Sequence, residues 1–412
     1  MSALAQLMKD GGADVSGSDR EASPTTELLS KKGISVRIGQ AAGNVPADAE
    51  LVVYSEAVWE DNPERERAKE LGIRQRSYFA QLGEVSKGKR TIAVAGTHGK
   101  TTTTGMTAKI LLDAGASPSA VVGSIVQDFG SNYLRGESNL FVAEACEYKR
   151  DFLCLTPTYL IVTNVEWDHT DYYKDLADFQ SAFRTMMEKV PADGAIITNP
   201  SHPNIAPLLT GLVAPVIDYT QEPAYELLLP GEFNKDNARA AAAASRVAFP
   251  SVRDDAIRAS LAAFHGTWRR FEYKGKTKNG ADIYDDYAHH PTAVRATIAE
   301  LKKRTKGRLY VAFHPHLFSR TRDLLPEFAT AFAGADQVFI APIYAAREDD
   351  DGSISSEILA QKIAETGVDA EALSFENIRH LFETYAKEGD SVATIGAGDI
   401  CKVADALVVR TQ

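Results

Sequence analysis

Apolar residues fall in short blocks along the chain, separated by longer polar stretches with helical spacing. TIAVA (91–95), NLFVAEA (139–145), TYLIVTNV (158–165) and GAIITN (194–199) are runs of β-branched and aliphatic residues. Short continuous runs of this kind predict strands buried on both faces, as in a parallel sheet. Between them lie the helical patterns TTTTGMTAKILLDAG, NARAAAAASRVAF and SVRDDAIRASLAAF, the last ending at His265-Gly266. Strand and helix alternate, which predicts an α/β architecture.

The same texture appears on either side of this stretch. Upstream, SALAQLMKDGG predicts a helix closed by glycines, and ADVSGSD and AELVVYSEAV predict strands. NPERERAKELGI predicts a helix with Asn62 as N-cap and Pro63 at its first position. Downstream, the predicted strands are ADIYDDYAH, GRLYVAFHPH, DQVFIAPIYA and SVATIGAG. The helices there are PTAVRATIAELKKR and a single RDLLPEFATAFAGA. Breaks near 88 and 266 divide the chain into three α/β domains: 1–88, 89–266 and 267–412.

Charge and composition narrow the choice of function. The net charge of −11 argues against a nucleic-acid binder. Attraction for small anions must then come from local clusters, with Lys100, Arg269, Arg270, Arg320 and Arg322 as the basic groups to follow. No apolar run is long enough to span a membrane. The three cysteines show no CxxC spacing, and with the absence of a signal-like start they place the expected address in the cytoplasm.

The most informative stretch is GTHGKT, residues 96–101, between a predicted strand and a predicted helix. A glycine-rich turn there exposes backbone N–H groups at a helix N-terminus, which is an anion site. A lysine reaches outer phosphates, and a following hydroxyl ligates Mg²⁺. Gly96, Thr97, His98, Gly99, Lys100 and Thr101 are therefore the predicted nucleotide-phosphate loop, which the resemblance named below extends to Thr102. The usual GxxxxGK[ST] spacing would need glycine at 94, where Val94 stands. Glu144 and His169 follow strands of the same sheet and are the metal candidates with Thr101. Thr103 and Thr104 are assigned to the helix surface or to packing. Further on, YDDYAHHP gathers Asp285, Asp286, Tyr287, His289 and His290, and HPHLFSRTRD gathers His314, His316, Arg320 and Arg322.

Taken in order, GTHGKTTTT, VAEACEY, TNVEWDHTDYY, GEFNKDNARAA, RRFE, DDYAHHPTA, HPHLFSRTRD and GAGDI resemble the Mur ligases. The resemblance implies an N-terminal Rossmann-like domain for a UDP-sugar, a central P-loop ATPase-type domain and a C-terminal Rossmann-like domain. It also implies ATP and Mg²⁺, and an acyl phosphate formed on the substrate carboxylate. The implied substrates are UDP-N-acetylmuramate and L-alanine, or a tripeptide in place of L-alanine. By the same resemblance Lys100, Glu144 and His169 are catalytic, Asn234 and Asn237 lie at the adenine side, and Arg270 and Asp286 approach ATP. Tyr287, His289, His316 and Arg320 serve the substrate pocket. The expected state is monomer or homodimer. Members of the family begin with a strand and a glycine-rich loop before a Met-Ser pair. This sequence starts at Met1-Ser2, so its N-terminal domain is expected to be truncated, with exposed strand edges. A nucleotide-binding protein without ligase activity is the reading from another functional class.

Overall fold

A computed structural model describes residues 1–409 of the 412-residue chain. Two compact units are present. The first comprises residues 1–166, 180–226 and 236–265. The second comprises 167–179, 227–235 and the described chain from Gly266 on. The two short insertions join the second unit because Trp167 and Phe233 pack on its core of Phe313, Phe328 and Phe332.

A seven-stranded sheet forms the centre of the first unit. From edge to edge its strands are Val216–Asp218, Ala195–Thr198, Tyr159–Val162, Arg90–Ala95, Leu140–Glu144, Ser119–Val126 and Ser131–Leu134. All neighbours are parallel except the last pair, where Ser131–Leu134 runs antiparallel. Arg90–Ala95 lies between strands that come later in the chain on both sides, so the strand order reverses there. The carboxyl edge at such a reversal is where α/β sheets bind ligands.

The strands before residue 88 do not form one sheet. Ser16–Asp19 pairs with Ser35–Ile38, and Leu51–Tyr54 pairs with Arg74–Ser77, both in parallel. Ser16–Asp19 is largely exposed. Asn62 caps the helix Pro63–Glu70, its side chain accepting from Glu64 N at 2.9 Å. The first helix, Ser2–Asp10, seats on the edge strand Ser131–Leu134 through polar groups. Gln6 Nε2 donates to Asn132 Oδ1 at 3.1 Å, Asn132 Nδ2 to Ser2 Oγ at 2.8 Å, and Ser131 Oγ to Gln6 Oε1 at 3.0 Å. Each buried polar atom in this lattice has a partner, which is the condition for burying it cheaply.

A six-stranded sheet runs through the second unit: Glu272–Lys276, Asp282–Asp286, Ser391–Ile395, Leu309–Phe313, Gln337–Ile340 and Ala370–Ala372. Only the edge strand Glu272–Lys276 is antiparallel. The single helix expected at 322–335 is instead two, Phe318–Asp323 and Leu325–Ala331, broken at Leu324. Pro326 fits the break: it lies in the first turn of the second helix, where its missing N–H is tolerated, and it donates no hydrogen bond that would continue the first.

Close packing of the first sheet depends on Gly194. A Cβ there would sit 2.0 Å from the Thr158 carbonyl oxygen. Gly194→Ala is expected to cost about 1–3 kcal/mol or more in urea denaturation; an unchanged midpoint would show that this approach does not constrain the strand.

Candidate functional site

The loop after Arg90–Ala95 is backbone stitched to the end of the neighbouring strand. Thr97 N donates to Asn164 O at 3.2 Å and His98 N to Asn164 Oδ1 at 2.8 Å. Thr163 Oγ1 donates to His98 O at 2.5 Å. Thr97 Oγ1 donates to Glu166 O at 2.9 Å and accepts from Glu166 N at 2.8 Å. The approach leaves no room for side chains. A Cβ on Gly96 (φ +132°) would lie 2.1 Å from Thr163 Oγ1, and one on Gly99 (φ +81°) 2.3 Å from Asn237 Oδ1. Both glycines therefore have steric and conformational reasons to be glycine.

Helix Lys100–Asp113 starts from Gly99, so its N-terminus opens at the carboxyl edge of the sheet. Thr101 Oγ1 donates to Glu144 Oε1 at 2.9 Å, and Glu144 Oε2 accepts from Gly123 N at 2.7 Å. Lys100 Nζ donates to Gly96 O at 2.5 Å, Thr97 O at 3.2 Å and Glu147 Oε1 at 3.0 Å. Burial works against the charge of Lys100, but Glu147 opposes this and holds the ammonium pKa above its ordinary value. Thr102, Thr103 and Thr104 are buried. Thr103 Oγ1 meets Asn237 Oδ1 at 3.2 Å, and Thr104 Oγ1 donates to Lys100 O, so these threonines pack the helix rather than face solvent.

Sequence reasoning placed the loop, Thr101, Glu144 and His169 at one sheet edge, and the resemblance gave Asn234 and Asn237 to the adenine side; the structure brings Thr101 to Glu144 and Asn237 to the loop and Thr103. His169 and Asn234 belong to segments of the second unit. His169 has φ +54°, and its N–H donates to Asp168 Oδ1 at 2.7 Å. Asn234 Nδ2 donates to Pro230 O at 2.7 Å. Glu147, Asn164 and Gly123 are among the partners missed. Glu147 lies in the quoted VAEACEY, but no periodicity marks a loop residue. Asn164 follows a strand in the same way. Gly123 carried the available signal, a glycine inside the strand pattern SAVVGSIV.

In the second unit the motif residues cluster at the carboxyl ends of its strands. Arg320, only 1 % exposed, donates through Nε to Asp168 Oδ1 at 2.7 Å, and its Nη1 lies 2.9 Å from His316 Nδ1. Burial alone would raise the Asp168 carboxyl; Arg320 instead holds it well below the usual carboxylate range. Burial and then Arg320 push His316 down to about 3 and hold His289 well below its ordinary value. His289 Nδ1 lies 3.0 Å from Tyr287 O, and its ring centroid is 6.1 Å from that of His316. Burial lowers His314 to about 4.

Asp286 has both carboxylate oxygens engaged, accepting from Phe271 N at 2.6 Å and Ala288 N at 2.7 Å. Its pKa is pushed up to about 6 by burial, against the pull of Arg270. Arg270 stacks over the Tyr287 ring at 4.9 Å. Arg269 is buried and donates to Asp285 Oδ2 at 2.8 Å, Gly398 O at 3.1 Å and Gly396 O at 2.6 Å. It therefore braces the GAGDI turn.

A strand, a glycine loop bearing a lysine, and a helix with a hydroxyl and a carboxylate at its mouth define a nucleotide-binding α/β protein. The chain belongs to the Mur ligase family. Family models match residues 1–90 (Mur ligase family, catalytic domain), 94–224 (Mur ligase middle domain) and 269–398 (Mur ligase, glutamate ligase domain). A UDP-N-acetylmuramate–L-alanine ligase of Lachnospira eligens is 40% identical, over 99% of this chain and 95% of that protein. The crystal structure of the UDP-N-acetylmuramate-alanine ligase MurC from Thermotoga maritima has a TM-score of 0.79 at 26% identity, covering 99% of this chain and 95% of the other. A murein peptide ligase from Psychrobacter arcticus has a TM-score of 0.76 at 26% identity, with the same coverage.

Two outcomes follow from this geometry. A Cβ on Gly123 would lie 2.5 Å from Glu144 Oε2. Gly123→Ala is expected to raise the divalent-metal concentration needed for half-maximal activity by about tenfold or more, whereas an unchanged titration would detach Glu144 from metal binding. The depressed histidines give a pH dependence of stability. His314 and His316 stay neutral in the folded protein down to about 4 and about 3, while in the unfolded chain they protonate near 6.5. Their contribution is present above pH 6.5 and lost as pH falls, by about 1.4 kcal/mol per histidine per pH unit while only the unfolded chain binds the proton. Urea midpoints between pH 7 and 5 should fall less steeply in His314→Phe; an equal slope would contradict the assignment.

Proposed function

We propose that the chain joins L-alanine to the lactyl carboxylate of UDP-N-acetylmuramate with hydrolysis of ATP, in the synthesis of peptidoglycan precursors. Near-full-length similarity to the L-alanine ligase of Lachnospira eligens carries this reading. The residues fit the chemistry. A carboxylate is a poor acyl donor because its leaving group would be oxide. Attack of one carboxylate oxygen on the γ-phosphorus expels ADP and makes an acyl phosphate. The L-alanine amine then attacks the carbonyl, phosphate departs with the electron pair of the C–O bond, and the amine loses a proton. The first step brings two anions together, so its barrier falls most through positioning and charge neutralisation.

In this reading Gly96–Thr102 cradles the phosphates and Lys100 neutralises the group in transfer. Thr101 and Glu144 are hard oxygen donors suited to Mg²⁺, joined by His169 as the family resemblance implies. Bound Mg²⁺ supplies neutralisation of the phosphate charge. Asn234 and Asn237 flank the adenine side, and Arg270 and Asp286 serve ATP from the C-terminal domain. Tyr287, His289, His316 and Arg320 shape the substrate pocket. Segments 1–88, 89–266 and 267–412 divide the work among UDP-sugar binding, ATP binding and amino-acid placement. Among the described residues no helix is long and apolar enough to cross a membrane.

The murein peptide ligase likeness supports a second reading, with a tripeptide as acceptor. Phosphate release with Mg²⁺-ATP and UDP-N-acetylmuramate separates the two. Release dependent on L-alanine is expected. Release with the tripeptide alone would transfer the protein to the second reading, and release with neither would refute both.

A further inference from the structure

The Lys100 ammonium has three N–H donors, and three protein groups take them: Gly96 O, Thr97 O and Glu147. Both Glu147 oxygens are within 3.0 Å of Nζ, and the carboxylate side chain has 0% exposure. A carboxylate so placed is tolerated only because it is paired. Its position is built by the backbone. Lys149 and Arg150 follow at φ +52° and +62°, two successive non-glycine residues in the left-handed region. Such a bend persists only where its surroundings fix it. Arg150 N donates to Glu147 O at 2.9 Å, Arg150 Nη2 to Ser181 Oγ at 2.9 Å, and Lys149 Nζ lies 3.5 Å from Glu56. The segment thus presents two carboxylates three residues apart to two adjacent helix residues, Glu144 to Thr101 and Glu147 to Lys100.

We propose that Glu147 is a positioning residue for Lys100, holding its ammonium at the loop while offsetting the charge with which the loop attracts nucleotide phosphate. A phosphate oxygen that accepts a hydrogen bond from Nζ displaces one of three acceptors. The carbonyls are neutral and yield first; Glu147 stays and fixes the direction of the lysine. The geometry exchanges affinity for alignment. Removing the negative charge leaves a lysine that attracts phosphate more strongly and is aimed less well.

This inference rests on the P-loop reading above, and the experiment separates the two. Binding of the non-hydrolysable analogue AMPPNP with Mg²⁺ is measured by calorimetry for wild type, Glu147→Gln, Glu147→Asp, Lys100→Ala, Lys100→Met and Lys100→Met/Glu147→Gln. Glu147→Gln should bind AMPPNP about fivefold or more tighter, while L-alanine-dependent turnover falls about tenfold or more. Glu147→Asp should recover part of the turnover. In the Lys100→Met background the same change should leave affinity unaltered. A merely structural role predicts weaker binding together with slower turnover. Unchanged or weaker binding by Glu147→Gln, or the same gain without Lys100, overturns the proposal. Undiminished AMPPNP binding by Lys100→Ala would instead sink the P-loop reading itself. If Glu147→Gln does not fold, refolding of the doubly substituted variant supports the pairing, and continued misfolding overturns it.

Discussion

The candidate nucleotide site depends on one close approach, that of the 96–99 backbone to the end of the neighbouring strand. Thr163 and Asn164 bond the loop on one side, and Asn237 closes against Gly99 on the other. With the loop pinned, the helix from Lys100 begins at a fixed point and its first side chains have fixed targets. Thr101 finds Glu144 and Lys100 finds Glu147. The parallel sheet makes this possible because consecutive strand ends lie side by side along one edge.

A second regularity is how the chain handles positive charge. The sequence is acidic overall, with a net charge of −11. Three cations of its motifs are nevertheless largely buried, and each has an anion beside it: Lys100 with Glu147, Arg269 with Asp285, Arg320 with Asp168. Losing one member of such a pair strands the other charge in a low-dielectric interior, which is the costly case. The pairs therefore set where the cations can point. They make Arg269 a brace for the GAGDI turn and Arg320 an anchor shared by Asp168 and His316.

Much of this was readable from residue order. Buried strands announce themselves as short apolar runs, and glycine, proline and asparagine mark the starts and stops, as Asn62 and Pro63 show. The phosphate loop was legible because its chemistry needs small residues, a lysine and a hydroxyl at contiguous positions. The exposed or irregular edge strands, such as Ser131–Leu134 and Glu272–Lys276, carried no such run. Ser2 and Gln6 read as polar helix positions, yet they are buried against Asn132 and Ser131. The break at Leu324 was signalled by Pro326 but overridden by the helical pattern around it.

By itself, then, the sequence determined the alternation of strand and helix, the loop that starts at Gly96 and the family to which the chain belongs. These are local properties: propensity, period and contiguous motif. Only the tertiary structure decided which partner each charged group meets. Glu147 comes to Lys100 across 47 residues and Asp168 to Arg320 across 152. Sheet order and backbone bends set those pairings, and neither is written in the spacing of any single segment. It also decided that the 167–179 segment packs with the C-terminal unit, because Trp167 lies on the core that unit builds.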